Sequence, residues 1–236
     1  MTWVKICGMT NLEDALVAVE AGADAVGFVF YEKSPRCLSV EAAREIVAKL
    51  PESVEKVGVF VGDRLTNAEE EGNFVGLDAL QVYTTSGQTI LEVLEDVGAW
   101  PPSQRKPGQT KIYLALPISK LVVEQVEQQG LTIDMWDPEG EFVALLVDSG
   151  GGHQPGGTGV AFDWNQAAAM VAGLSLRHKV VVAGGLTPQN VGEAMGVLKP
   201  WGVDVASGVE AWPGKKDAEK VRAFVRAVRE MDRKGS

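Results

Sequence analysis

Two side chains in this sequence are placed to move protons. Cys7 closes the short apolar run Trp3–Cys7, and Asp148 closes another over residues 143–147. A free cysteine is most often a small buried hydrophobe, but as a thiolate it is a base or nucleophile once its pKa is lowered. A carboxyl at the rim of an apolar run either caps a loop or, with its pKa raised by its surroundings, acts as an acid. Arg36 follows Ser34 and Pro35, and reads as a solvated loop cation or as a bidentate clamp on a carboxylate. Three stretches are rich in glycine: Gly156-Gly157-Thr158-Gly159, Ala183-Gly184-Gly185 and Ala206-Ser207-Gly208. Each is a tight turn or, where backbone N–H groups converge, a seat for an anion such as a phosphate. His153 lies in the Gly-rich loop over residues 149–159 without an apparent orienting partner and is not assigned a catalytic role. Cys37 and His178 read as structural or surface residues.

Elements must hold these residues in place, and the apolar pattern supplies them. Short apolar runs alternate with helical stripes about eight times. The expected strands are residues 3–7, 23–29, 55–61, 78–83, 111–116, 142–148, 179–183 and 202–206. Helical stripes spaced i, i+3, i+4, i+7 follow them, as at Leu12, Ala15, Leu16 and Val19. Further helices are expected at 40–50, 64–74, 90–97, 119–129, 164–174, 191–198 and 218–228. Near-continuous apolar strands covered by helices predict a parallel sheet buried on both faces. Eight such units predict a single-domain (β/α)8 barrel, of the TIM-barrel type. A doubly wound open sheet is the competitor, but no Gly-rich nucleotide loop follows the first strand. Residues 99–110 and 132–141 read as surface insertions. In a barrel, chemistry sits at the C-terminal ends of the strands. Cys7, Arg36, Gln81, Asp148, Gly184, Gly185, Ser207 and Gly208 all sort to that end, as scattered polar residues would not.

Composition bounds the partners. The chain has 236 residues with 22 Lys+Arg and 32 Asp+Glu, a formal charge of −10. So acidic a chain is a poor binder of nucleic acid, which asks for a basic face, whereas one small phosphorylated substrate needs only local donors. No run of about 18 apolar residues predicts a membrane span, and no leader pattern is visible, so a cytoplasmic location is expected. Two cysteines and two histidines are too few for a disulfide framework or a His-rich metal site.

Beyond these single residues, an ordered set of motifs resembles one family. Lys5-Ile6-Cys7-Gly8-Met9-Thr10 is similar to the opening of the phosphoribosylanthranilate isomerases. The likeness continues through Gly27-Phe28-Val29-Phe30, Ser34-Pro35-Arg36 and Leu146-Val147-Asp148. It runs on through Gly156-Gly157-Thr158-Gly159, Ala183-Gly184-Gly185-Leu186-Thr187-Pro188 and Asp204-Val205-Ala206-Ser207-Gly208-Val209-Glu210. The resemblance implies an Amadori rearrangement in tryptophan biosynthesis, with Asp148 as general acid and Cys7 as general base. It implies Arg36 on the anthranilate carboxylate and the glycine turns on the phosphate. Substrate contacts are then expected from Arg36, Gln81, Gly157, Thr158, Gly159, Gly184, Gly185, Asp204, Ser207 and Gly208. No metal or organic cofactor is implied, and the working form is a monomer or homodimer. One departure stands out: strand four of the family commonly ends Gln-Leu-His-Gly, and here it reads Gln81-Val82-Tyr83-Thr84. The imidazole's contribution must be dispensable or come from Tyr83 or another group. The rivals are another phosphosugar barrel enzyme, such as an imidazole-ribotide isomerase with an aspartate at the position of Cys7, and a catalytically silent phosphate-binding barrel.

Overall fold

A computed structural model describes residues 1–61, 67–83, 111–117, 142–149, 162–176 and 178–235. Eight parallel strands close on one another in chain order. They are β1 (Trp3–Cys7), β2 (Ala25–Val29), β3 (Glu55–Val61), β4 (Ala79–Tyr83), β5 (Lys111–Pro117), β6 (Phe142–Asp148), β7 (Val180–Val182) and β8 (Gly202–Val205). β8 pairs back onto β1, which completes the (β/α)8 barrel expected from the alternation. The helices among the described residues are α1 (Leu12–Ala21), α2 (Val40–Val47), α3 (Ala68–Val75), α4 (Trp164–Ser175), α5 (Val191–Leu198) and α6 (Ala218–Lys234).

Strand side chains alternate between two apolar layers, as the period of two requires. Val4, Ile6, Val26, Phe28, Leu80, Val82, Leu145 and Val147 point outward and pack with helix residues such as Ala15, Ala18, Val221 and Phe224. Ala25, Val57, Val59, Ala79, Ala115, Ala144, Leu146 and Val181 point inward with Cys7 and Tyr83 and fill the barrel. Trp3 stacks on Tyr113 and on Trp201, with ring centroids 5.4 Å apart in both pairs. Trp3 opens β1, Trp201 immediately precedes β8 and Tyr113 is the third residue of β5, so aromatic rings floor the barrel near its N-terminal end and leave the other end for chemistry.

Helix ends follow their capping chemistry. Asn11 and Ser39 accept N–H bonds at the starts of α1 and α2, and Asp217 accepts two at the start of α6. Some boundaries differ from the sequence expectation. β2 starts at Ala25 rather than residue 23, because the Asp24 carboxylate turns back to accept the Val4 N–H at 2.8 Å and to pair with Arg229. α2 stops at Val47, ahead of Pro51. A short hairpin, β9 (Glu210–Trp212) with β10 (Lys215–Lys216), was not foreseen. It follows a single 3-10 turn over Ser207–Val209. The expected helices near 90–97 and 119–129, the insertions, His153, and Gly157, Thr158 and Gly159 lie outside the described residues. Among the described residues, no helix is long and apolar enough to cross a membrane.

Candidate active site

On β1, the inward positions are Lys5 and Cys7, and both are buried. They fit because β2 carries Gly27 opposite Cys7. A Cβ at Gly27 would lie 2.7 Å from the Cys7 sulfur and 3.0 Å from Lys5 Cε. The Lys5 ammonium donates to Asp204 Oδ2 at 3.0 Å, on its direct pairing partner in β8, and the Lys5 stem and the Cys7 sulfur flank the same Gly27 position. Burial pushes the Cys7 thiol up, and the positive charge of Lys5 opposes that push without cancelling it. Burial also pushes Asp204 up, against the pull of Lys5. Lys5 itself ends up raised: burial works against its charge, but Asp204 and Cys7 outweigh burial.

Arg36 reaches over the same rim. Gly8 has φ +81°, and a Cβ there would lie 2.5 Å from Arg36 Cδ. Glycine at this turn therefore lets the guanidinium stem lie flat across the exit of β1. Arg36 Nε and Nη2 donate to the two Glu210 oxygens, both at 2.8 Å. Lys216 donates to the same Glu210 at 2.9 Å and to the Ala206 carbonyl at 3.2 Å. Burial raises Glu210, but these two cations more than reverse it and hold the carboxyl below its ordinary range. Arg36 is thus a fixed cation, gripped on one edge, rather than a solvated one.

The opposite wall belongs to β4 and β6. Asp148 is buried at the end of β6. Its Oδ2 accepts from the Tyr83 hydroxyl at 2.9 Å, and its Oδ1 from the Ser149 hydroxyl at 3.2 Å. Gln81 Nε2 donates to the Tyr83 oxygen at 3.2 Å. Burial, and then the Asp148 charge, drive the Tyr83 phenol well above its ordinary value, so it stays protonated and able to donate. Two buried acceptors, Gln81 Oε1 and Asp204 Oδ1, have no partner among the described residues. Such atoms are costly to leave unmet.

The third side is backbone. Gly184 and Gly185 both have positive φ, at 83° and 67°. Asn190 fixes the turn, accepting the Thr187 N–H at 2.7 Å and donating to the Gly185 carbonyl at 2.9 Å. A Cβ at Gly184 would lie 2.3 Å from Ser149 Oγ, and one at Gly208 would lie 1.8 Å from the Leu186 carbonyl oxygen. The turns after β6, β7 and β8 therefore stack against one another.

These walls enclose a cleft of about 670 Å³, its open mouth and the solvent in it included. Cys7, Arg36, Gln81 and Asp148 line it, with Gly184, Gly185, Asp204 and Ser207. Gly208 packs against the β7 turn. Sequence reading passed over Lys5, Glu210 and Lys216 as site residues and left Tyr83 open. Lys5 carried a usable signal: a charge inside an apolar strand, two residues from Cys7 and so on its face.

Fold and rim together define a (β/α)8-barrel enzyme that presents a thiol and a carboxyl to one cleft. The family model described as N-(5'phosphoribosyl)anthranilate (PRA) isomerase matches residues 4–227. The chain belongs to this family and catalyses its aldose–ketose isomerisation, a step of tryptophan biosynthesis. The N-(5'-phosphoribosyl)anthranilate isomerase of Pseudomonas aeruginosa (strain UCBPP-PA14) is 42% identical over 230 residues, covering 98% of this chain and 96% of the relative. A solved phosphoribosyl anthranilate isomerase in complex with reduced 1-(o-carboxyphenylamino)-1-deoxyribulose 5-phosphate is 35% identical. It superposes with a TM-score of 0.75 over 98% of this chain and 100% of that one. Monomers generated from the dimeric Thermotoga maritima enzyme are 34% identical, with a TM-score of 0.73 over 97% and 99% of the two chains.

Proposed function

We propose that Asp148 is the general acid and Cys7 the general base of the rearrangement. The substrate is N-(5'-phosphoribosyl)anthranilate and the product 1-(2-carboxyphenylamino)-1-deoxyribulose 5-phosphate. Asp148 gives its proton to the furanose ring oxygen. The C1'–O bond breaks, and the nitrogen lone pair forms a C1'=N iminium. The Cys7 thiolate then takes the C2' proton. The C–H electron pair becomes the C1'=C2' bond, and the C=N pair returns to nitrogen, giving the enolamine. The Asp148 carboxylate takes the proton of the C2' hydroxyl, and the Cys7 thiol returns one to C1'. This yields the ketone and restores both groups.

The observation that carries this reading is the placement of Cys7 on β1 and Asp148 on β6, both lining one cleft, with the glycine turns forming a third side. Arg36 keeps N–H donors beyond those that Glu210 occupies, and these suit the anthranilate carboxylate. Backbone N–H groups of Gly184, Gly185, Ser207 and Gly208 suit the phosphate. The unmet acceptors of Gln81 and Asp204 suit ribose hydroxyls. The substrate carries a phosphate and a carboxylate and does not cross a bilayer unaided, which supports a cytoplasmic site of action. The working form is a monomer or homodimer, as one protomer supplies every group named.

Turnover of phosphoribosylanthranilate tests the roles. Cys7→Ala and Asp148→Asn should each fold, bind product analogue nearly as wild type, and lose at least about 10²-fold in kcat, the usual worth of a positioned acid or base. Near-normal turnover in either variant removes that residue from its role. A collapse of binding with kcat retained would make Asp148 a binding residue.

A further inference from the structure

Cys7 is buried, and a buried thiolate needs a fixed counter-charge. We infer that Lys5, held by Asp204, is the positioning residue that supplies this charge and so keeps Cys7 competent as a base. The inference rests on the assignment of Cys7 above. Lys5 has no exposed surface at all and does not line the cleft. Its ammonium donates to Asp204 Oδ2 at 3.0 Å, and its Cε and the Cys7 sulfur lie 3.0 and 2.7 Å from one and the same Cβ position at Gly27. An ammonium buried in a strand interior costs more than an apolar side chain there, and the Asp204 pairing offsets that cost beside the thiol. The strand period enforces the arrangement: positions 5 and 7 share one face, and β8 sets Asp204 directly beside Lys5.

Every charged or titratable group facing Cys7 agrees in sign with this role or is already neutralised. From β1 comes Lys5; from β8, Asp204, which is paired with it. Lys216 on β10 and Arg36 after β2 are both held by Glu210. Tyr83 on β4 stays a neutral phenol, bonded to Asp148 on β6. Lys5, Lys216 and Arg36 make three cations against the two carboxylates Asp204 and Glu210. Lys5 is the cation that shares a strand face with Cys7 and flanks the same Gly27 position, whereas Lys216 is held on Glu210.

The test is made on the full chain in a Cys37→Ser background, so that Cys7 is the one thiol. The rate of alkylation by iodoacetamide is followed against pH, beside the pH profile of kcat/KM. Lys5→Met should move the alkylation midpoint up by about one pH unit or more, the size of effect of a nearby opposite charge. The acid limb of kcat/KM should move with it, and kcat at pH 7 should fall about tenfold, because one unit is a tenfold change in thiolate fraction. KM should stay near wild type. Lys5→Met/Asp204→Asn leaves no unpaired buried charge and should show a smaller upward midpoint shift, because Asp204 pushes the thiol up and Lys5 pulls it down more strongly. A folded variant of either kind with an unmoved midpoint overturns the inference, as does loss of the native fold in both, which would make the pair a folding element. A moved midpoint with an unmoved kcat/KM limb also overturns the catalytic role of Lys5. Failure of the Cys7 assignment itself is separate: it appears as activity in Cys7→Ala with the alkylation shift intact.

Discussion

The hydroxyl of Tyr83 sits between Gln81 and Asp148, accepting from one and donating to the other. The family pattern that the sequence resembles has a histidine at this point of strand four, and the sequence alone leaves open what takes its place. Here the phenol orients the Asp148 carboxyl toward the cleft, with Ser149 on its other oxygen. A hydrogen bond of this kind contributes about 0.5–1.5 kcal/mol net, so Tyr83→Phe should lower kcat by about 2- to 12-fold. KM should change little, because the phenol is assigned to the acid rather than to binding. Steady-state kinetics decide the matter: a raised KM with an unaltered kcat would make Tyr83 a substrate contact. Cys7 adds a pH expectation. Burial raises its thiol, with Lys5 pulling the other way, so the thiolate fraction is small at neutral pH. Activity should therefore climb as pH rises toward the thiol's ionisation, and a flat profile through the alkaline range would tell against a thiolate base.

Three neighbouring turns share the work at the level of elements, and none can shift alone. The Leu186 carbonyl of the β7 turn occupies the space where Gly208 would carry a Cβ. A side chain at Gly208 therefore meets backbone, which cannot rotate away. Gly208→Ala should cost about 1–3 kcal/mol, the usual range for overpacking, and lower Tm by about 2–12 °C at this chain length. Inorganic phosphate should bind more weakly because the β7 turn is displaced, while Ser207→Ala should be mild. Calorimetry with and without phosphate tests this: wild-type Tm and affinity in Gly208→Ala would show the turns to be independent. Much of this architecture was legible in the sequence. Apolar runs place all eight strands, since a strand buried on both faces can hardly be anything but apolar. The strand-end rule then gathers Cys7, Gln81 and Asp148 at one rim. The Arg36–Glu210–Lys216 linkage was not legible, because it joins residues 174 positions apart through a hairpin of two very short strands. Lys5 hid for another reason: a lysine in a strand is usually an edge or surface residue, and its burial depends on a partner from the far end of the chain.

Taken whole, the molecule carries a charge of −10, yet its substrate is an anion with a phosphate and a carboxylate. The barrel resolves this by separating near from far. At the rim, Arg36 is fixed and buried, and Lys5 and Lys216 are neutralised by carboxylates in contact with them. Backbone N–H groups at the turns add local dipoles that do not alter net charge. Outside the cleft, the acidic surface repels the approaching substrate. The two fields respond differently to salt. Surface repulsion acts over distances comparable to the Debye length, about 10 Å at 0.1 M, and is screened, whereas contacts in a buried site are screened much less. Raising ionic strength from about 0.01 M to 0.1 M should therefore increase kcat/KM, with kcat nearly constant, where capture of substrate limits the rate. A chloride salt should be used, because phosphate or sulfate would compete for the turns. A steep fall of kcat/KM over that range would mean that the cleft's attraction reaches beyond its mouth. Arg36 would then steer the substrate inward from solution, and Arg36→Met would flatten the salt dependence as well as raise KM.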